Sequence, residues 1–186
     1  VVHRGRYGDM HGAAAGVGLA GDIGLSLQPQ VATGPQGAVV AWADTRNGAM
    51  EIYVARHTAT GWQQLAGSAS GGGISRSAAD ASTEPSVVVD AAGNIYVAWT
   101  EERSGTTDIY LARYDNAAGT WGQVGGSMTA GGISGTGTAK GAKLAMTSSG
   151  PVVAWQDGTG VERVYVKALV AGAWAALGAN SASGTG

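Results

Sequence analysis

The side chains able to do chemistry are sparse in this chain, and they gather in three similar places. "WADTRN" carries Asp44, Arg46 and Asn47. "WTEER" carries Glu101, Glu102 and Arg103, and "WQDGTGVER" carries Asp157, Glu162 and Arg163. Carboxylates beside arginines can hydrogen-bond a polar ligand, and an arginine fork can grip a carboxylate with two parallel bonds. An acid–base pair at Glu101 and Glu102 is disfavoured, because adjacent residues point to opposite faces if a strand runs through them. The three histidines, His3, His11 and His57, have no metal-ligand spacing, and there is no cysteine, so thiolate metal sites and disulfides are excluded. No serine lies in G-x-S-x-G. Glycine runs such as "SGGGIS" do not open a helix, so they do not read as a phosphate cradle. No metal, no cofactor and no catalytic residue is expected. The net charge of −2 comes without any basic stripe, which excludes nucleic acid as a partner.

These polar groups sit on a repeat. Trp42, Trp99 and Trp155 end apolar runs at spacings of 57 and 56, and Trp62, Trp121 and Trp174 open later segments at spacings of 59 and 53. Tyr53, Tyr110 and Tyr165 fall between them, 57 and 55 apart. In the central copy, turn residues divide four short strands: "PSVVVD" (85–90), "IYVAWT" (95–100), "DIYLARY" (108–114) and "TWGQVG" (120–125). Four antiparallel strands in a unit of about 50 residues mark a β-propeller blade. The fold class expected is therefore all-β, with about three and a half blades and an incomplete ring. Residues 1–29 form a partial blade, and 30–83, 84–141 and 142–186 form one blade each. The nine repeated Trp and Tyr residues fill the wedge between blades.

The loop joining second and third strands, "EERSGTT" in the central copy, is expected to carry the polar clusters to one face of the ring. Unlike the aromatics, those residues vary between copies, and varied polar groups on a rigid scaffold are where recognition usually lives. Asp44, Arg46, Asn47, Glu101, Glu102, Arg103, Asp157, Glu162 and Arg163 are the candidate binding residues on this basis. Their alternative reading is local turn bonding and exposed ion pairs of little worth. Arg56 and Arg113 read as equivalent framework positions, with Lys167 in the third copy.

"VAWADTRNGAMEIYVAR" resembles the repeats of bacterial sialidase-like propellers of the BNR/Asp-box type, as do the linkers "LAGSASGGGIS" and "VGGSMTAGGIS". The Asp-box, S-x-D-x-G-x-T-W, is degenerate: "YDNAAGTW" keeps Asp115, Gly119 and Trp121, while "TATGW" and "VAGAW" keep only Gly and Trp. The resemblance implies an extracellular or periplasmic location, in keeping with the missing cysteine. It also implies that a sialidase would need an arginine cluster beginning in an R-I-P motif, a Tyr nucleophile with its Glu, and an Asp acid/base. No R-I-P motif occurs.

Three functions follow as expectations. The first is a non-catalytic module binding a glycan or protein partner, or serving in assembly. The second is a fragment of a sialidase-like glycoside hydrolase whose catalytic residues lie in blades outside this segment. The third is a structural spacer in an extracellular protein. Further blades of the same chain, or a second subunit, are expected to cover the end blades. No apolar run approaches the roughly 20 residues of a membrane span. The opening "VVHRGRYGDM" has no initiator Met and no signal-like apolar region, so it reads as a mature or excised segment.

Overall fold

A computed structural model describes residues 19–20, 24–77 and 80–178, and the strands fall in chain order into three sheets. The first sheet contains β1 (Ser26–Gly34), β2 (Gly37–Asn47), β3 (Ala49–Thr58) and β4 (Gly61–Gln64). The second contains β5 (Ala81–Val89), β6 (Ile95–Arg103), β7 (Thr106–Asp115) and β8 (Thr120–Gly122). The third contains β9 (Lys140–Thr147), β10 (Gly150–Asp157), β11 (Arg163–Val170) and β12 (Ala173–Ala176). Each sheet keeps its strands in sequence order, and every neighbouring pair is antiparallel. No helix occurs among the described residues. Residues 1–18, with His3 and His11, lie outside them.

The strands are longer than the turn residues suggest. β6 continues through Glu101, Glu102 and Arg103, and the loop expected at "EERSGTT" shrinks to Ser104 and Gly105. Their φ values of 50° and 82° are those of a type I′ turn, whose twist suits a hairpin. The polar clusters therefore begin on strand ends rather than in loops. Only the third hairpin has a longer connection, residues 158–162.

Alternation along each strand sends one face toward each neighbouring sheet. Val39, Ala41, Ala43, Ile52 and Val54 of the first sheet share a buried cluster with Val97, Trp99 and Tyr110 of the second. Ala98, Ile109 and Leu111, on the opposite face of the second sheet, pack with Val153 and Trp155 of the third. Each interface thus joins the aliphatic face of one sheet to the Trp-bearing face of the next in chain order.

The connectors 65–80 and 123–139 are held by the same bonds twice. Ser68 Oγ donates to the Val54 carbonyl at 2.7 Å, and Ser127 Oγ to that of Leu111 at 2.6 Å. Gly73 and Gly132 pass so close to β3 and β7 that a Cβ would sit 2.0 Å from the Ile52 oxygen and 2.2 Å from the Ile109 oxygen. Glycine is required at both.

The first strand of each sheet carries an irregularity where the register shifts against the second. Gln28 and Glu84 adopt φ of 54° there, and Gly141 adopts 68°. Pro29 and Pro85 follow the first two, a tolerated place for a residue without an N–H. The bulges link neighbouring sheets: Gln28 Oε1 accepts from Glu84 N at 2.8 Å, and Glu84 Oε2 from Gly141 N at 2.9 Å.

Candidate functional site

The three polar clusters share one core: a carboxylate two residues after a buried tryptophan, on the same face of the same strand. Trp42, Trp99 and Trp155 are at most 3 % exposed, and each stacks on the tyrosine opposite at 6.0, 6.4 and 5.9 Å. Their indole N–H groups donate to Asp44 at 3.2 Å, Glu101 at 2.6 Å and Asp157 at 3.2 Å. All three acids are buried. Ser26 and Ser82 hydroxyls donate to Asp44 and Glu101, at 2.6 and 3.1 Å. Arg46 and Arg103 complete the shells, with Nη2 contacts of 2.7 and 2.6 Å.

The two arginines are also held from below by the stack. Their guanidinium carbons lie 4.4 Å from the Tyr53 ring centre and 4.6 Å from that of Tyr110, in cation–π geometry. The third sheet has no arginine in this place. There the Thr136 and Thr138 hydroxyls donate to Asp157 at 2.6 and 2.5 Å. Burial opposes the charged forms of Asp44 and Asp157. The bonds from Arg46 and Ser26, and from Thr136 and Thr138, outweigh it and hold both carboxyls below the usual value.

These acids are consequently buried and hydrogen-bonded from several sides. Asp44 and Glu101 are held by donors of their own sheets, and Asp157 by Trp155 and by the connector threonines, which suits a strand-end clamp better than proton transfer. The exposed-rim expectation does not describe Asp44, Glu101 or Asp157, because the neighbouring chain covers the face to which alternation turns them. The other candidates differ. Asn47, Glu102, Glu162 and Arg163 are exposed. Glu162 pairs with Lys140. Glu102 lines an open hollow of about 410 Å³ between the first and second hairpins, with Met50, Asp80, Ala81 and Ser104. A second hollow of about 190 Å³ lies beside Glu101, Arg103, Asp108 and Tyr110.

Two further carboxylates were not singled out by the sequence. Glu51, 2 % exposed, accepts from the Ser75 hydroxyl and from Ser77 N at 3.0 Å. Asp108 likewise accepts from Ser134 Oγ at 2.7 Å, Thr136 N at 2.9 Å and Gly137 N at 3.0 Å. Both anchor the connector leading to the next sheet. Their signal is an acid two residues before Tyr53 and Tyr110, matched by the serine of the "GIS" ending each linker. Arg163 occupies that place in the third unit. Burial pushes the Glu51 carboxyl upward against these bonds, and the charge of Glu101 adds to the rise.

The equivalence of Lys167 with Arg56 and Arg113 is corrected by the strand register. Trp155 pairs with Tyr165 and Val152 with Ala168, so Ala168 stands where the arginines pair with Val39 and Tyr96. Lys167 instead faces the second sheet, 5.7 Å from the Trp155 ring centre, and its Nζ donates to the Ile133 carbonyl at 2.6 Å. Of the later tryptophans, Trp121 and Trp174 bridge sheets, donating to the Leu65 and Val124 carbonyls at 2.8 and 3.0 Å. Trp62 packs beside Trp42 and Tyr53, edge-on to the exposed His57. Among the described residues no three His, Asp or Glu side chains converge as metal ligands. Among the described residues there is no helix long and apolar enough to cross a membrane.

No known family's sequence profile and no curated protein matches the chain. Among solved structures, a thermostable family-43 glycoside hydrolase is similar with a TM-score of 0.52 and 14% identity, over 87% of this chain and 61% of that one. A structure from work on the GH130 family of mannoside phosphorylases, which contains glycoside hydrolases that target β-1,2 mannosidic linkages in Candida mannan, gives 0.52 and 12%, over 86% and 50%. Trypanosoma rangeli sialidase gives 0.37 and 8%, over 83% and 38%, too low to carry an argument. The chain thus spans about half to three-fifths of the length of the first two. At such identities the likeness is one of architecture: the chain has an all-β fold of four-stranded antiparallel sheets, of the kind found in β-propeller glycoside hydrolases.

Proposed function

We propose that the chain is a non-catalytic propeller module, extracellular or periplasmic, that binds a glycan or protein partner through the hairpin rim or serves in assembly. One observation carries the reading. The carboxylates at the centre of the three polar clusters, Asp44, Glu101 and Asp157, are each spent on a tryptophan N–H and on hydroxyl or arginine donors. What remains free to meet a ligand is the non-repeating rim of Asn47, Glu102 and Arg163. Beside it lies the hollow of about 410 Å³ whose Glu102 and Asp80 could accept sugar hydroxyls against the Met50 side chain. That volume lies within the range of small-molecule sites, about 300–1,000 Å³.

The experiment is a glycan array probed with the wild-type chain and with Glu102→Ala. Binding that the substitution weakens at least several-fold supports the rim. Binding unchanged by it removes the hollow as the site. The glycosidase-fragment reading is favoured by the architecture shared with two glycoside hydrolases, and its catalytic groups would come from outside residues 1–186. Hydrolysis of an aryl glycoside by this chain alone, lost on substituting Glu102 or Asp80, would displace the non-catalytic reading.

A further inference from the structure

The two ends of the stack are not alike. At the first sheet the aromatic face is already covered: Trp42 is 3 % and Tyr53 0 % exposed, with Arg46 over their rings and Leu19 and Ala20 packed alongside. At the third sheet the aliphatic face is only partly covered: Val164 is exposed, and Val152, Ala154 and Val166 are half-buried. Ile52 and Ile109, which precede the repeated tyrosines, are 0 % exposed, whereas Val164 in the same position is 66 % exposed. Val152, Ala154 and Val166 lie on the same face, because alternation sends their neighbours Val153 and Trp155 toward the second sheet.

The edge of this face repeats a specific acceptor. The residue three after each late tryptophan is Leu65, Val124 or Leu177. The Leu65 carbonyl receives the indole N–H of Trp121, and the Val124 carbonyl that of Trp174, each donor coming from the following sheet. Leu177 is the third member, and it is 56 % exposed where Leu65 is 3 %.

We infer that the face of Val152, Ala154, Val164 and Val166 is a docking surface for the next unit of this repeat in chain order. That unit lays a Trp–Tyr stack on the valines and donates an indole N–H to the Leu177 carbonyl. Both interfaces in the structure join an aliphatic face to an aromatic one, and in both the aromatic face comes from the following unit. A second copy does not fit as well. Its first-sheet aromatic face is covered, and its own partly open face is aliphatic. The two architectures sharing this fold at a TM-score of 0.52 contain more chain than this one spans, which provides for such a unit. One contact of the earlier interfaces is missing. Gly141 has no side chain with which to accept from the next bulge, as Gln28 and Glu84 do. Recognition then rests on the valine face and the Leu177 carbonyl.

This inference rests on the assembly half of the function proposed above and is independent of any ligand. Because the chain has no cysteine, Val164→Cys introduces a single reporter thiol on the partly open face. Val161→Cys, at a position 63 % exposed in the hairpin loop, serves as the control. Each is placed in the 186-residue chain and in the full polypeptide that the gene encodes, and thiol labelling is timed. The expected result is fast labelling of both thiols in the shorter chain, with protection of the residue-164 thiol alone, by about tenfold or more, in the longer one. Equal rates in the two chains overturn the inference. So does a gene with no further Trp–Tyr unit after residue 186. Protection in the shorter chain that grows with protein concentration also overturns it, since a second copy then occupies the face. Glycan binding is not read by this assay, so failure of the ligand reading leaves a distinct signature.

Discussion

Replacing Trp99 by alanine tests whether the repeated tryptophans are the central packing units of the stack. Trp99 is fully buried, lies in the cluster joining first and second sheets, and stacks on Tyr110. Removal of a buried Trp side chain to Ala costs about 3–5 kcal/mol, the loss of transfer energy plus the cavity left behind. The indole N–H is a second contribution. Its 2.6 Å bond to Glu101 is one of several, and Ser82 and Arg103 still hold the carboxylate after the change. A lost bond to a charged group adds about 1.5–3 kcal/mol, less here because those partners remain. The expected total is about 4–6 kcal/mol, comparable to the whole stability of a small domain, about 5–15 kcal/mol. Trp99→Phe separates the two parts. It keeps most of the packing and removes the donor, so its cost should be about 1–3 kcal/mol. Urea unfolding followed by circular dichroism gives both values from the shift in midpoint at constant slope. A cost below about 1 kcal/mol for Trp99→Ala would refute the reasoning. A phenylalanine variant as damaged as the alanine one would move the energy from packing to the indole–carboxylate bond.

The depressed carboxyl values of Asp44 and Asp157 set the sense of acid sensitivity. The unfolded chain binds protons more readily at these groups, so their stabilisation is present above the ordinary value of 3.8 and drains as pH falls through the folded values. Glu51, raised, acts in the opposite sense: its contribution is present below 4.5 and is lost as pH rises through its folded value. Melting temperature should therefore fall steeply below about pH 4, less so in Asp157→Asn, and a flat profile down to about pH 2.5 would contradict this. Gly105→Ala, at φ 82° with open space around the added carbon, should cost about 1–2 kcal/mol, whereas Gly73→Ala should cost more because its Cβ meets the Ile52 carbonyl. Equal costs in thermal melts would remove the close-approach argument. Glu84→Ala removes the carboxylate to which Gly141 N and the Thr100 hydroxyl both donate and leaves Gly141 N only the Thr100 oxygen at 3.0 Å, so it should destabilise by about 1–2 kcal/mol, with exchange of the Gly141 amide quickened more than that of amides in the first sheet.

The triplicated strands were legible because side-chain alternation and turn chemistry are local properties. Trp42, Trp99 and Trp155 keep their spacing in the sequence and their burial in the structure, since a large apolar ring on an alternating strand has one favourable place to go. The anchoring of the linkers was half legible. "GIS" and the acid before Ile-Tyr both recur, but nothing short of the folded connector shows that Ser75 reaches Glu51, more than 20 residues away in the chain.

Other features depended on which surface faces which. Asp44, Glu101 and Asp157 look like rim residues in sequence, because polar groups beside a turn are usually solvated. Alternation turns them to the tryptophan side, and the covering chain then buries them with donors from other strands. Lys167 follows the local alternation instead: it stands two residues after Tyr165 and so shares the tyrosine's face, whereas Arg56 and Arg113 stand three after Tyr53 and Tyr110, and one residue of difference exchanges the two faces of a strand. The difference between the covered end at Trp42 and the partly open end at Val164 is absent from the pattern, which is nearly identical at both. The sequence by itself determined the strands, their order and the aromatic residues between sheets, because each follows from local periodicity. Burial of the carboxylates and the identity of the open face were decided only by tertiary structure, because each depends on the sheet that lies opposite.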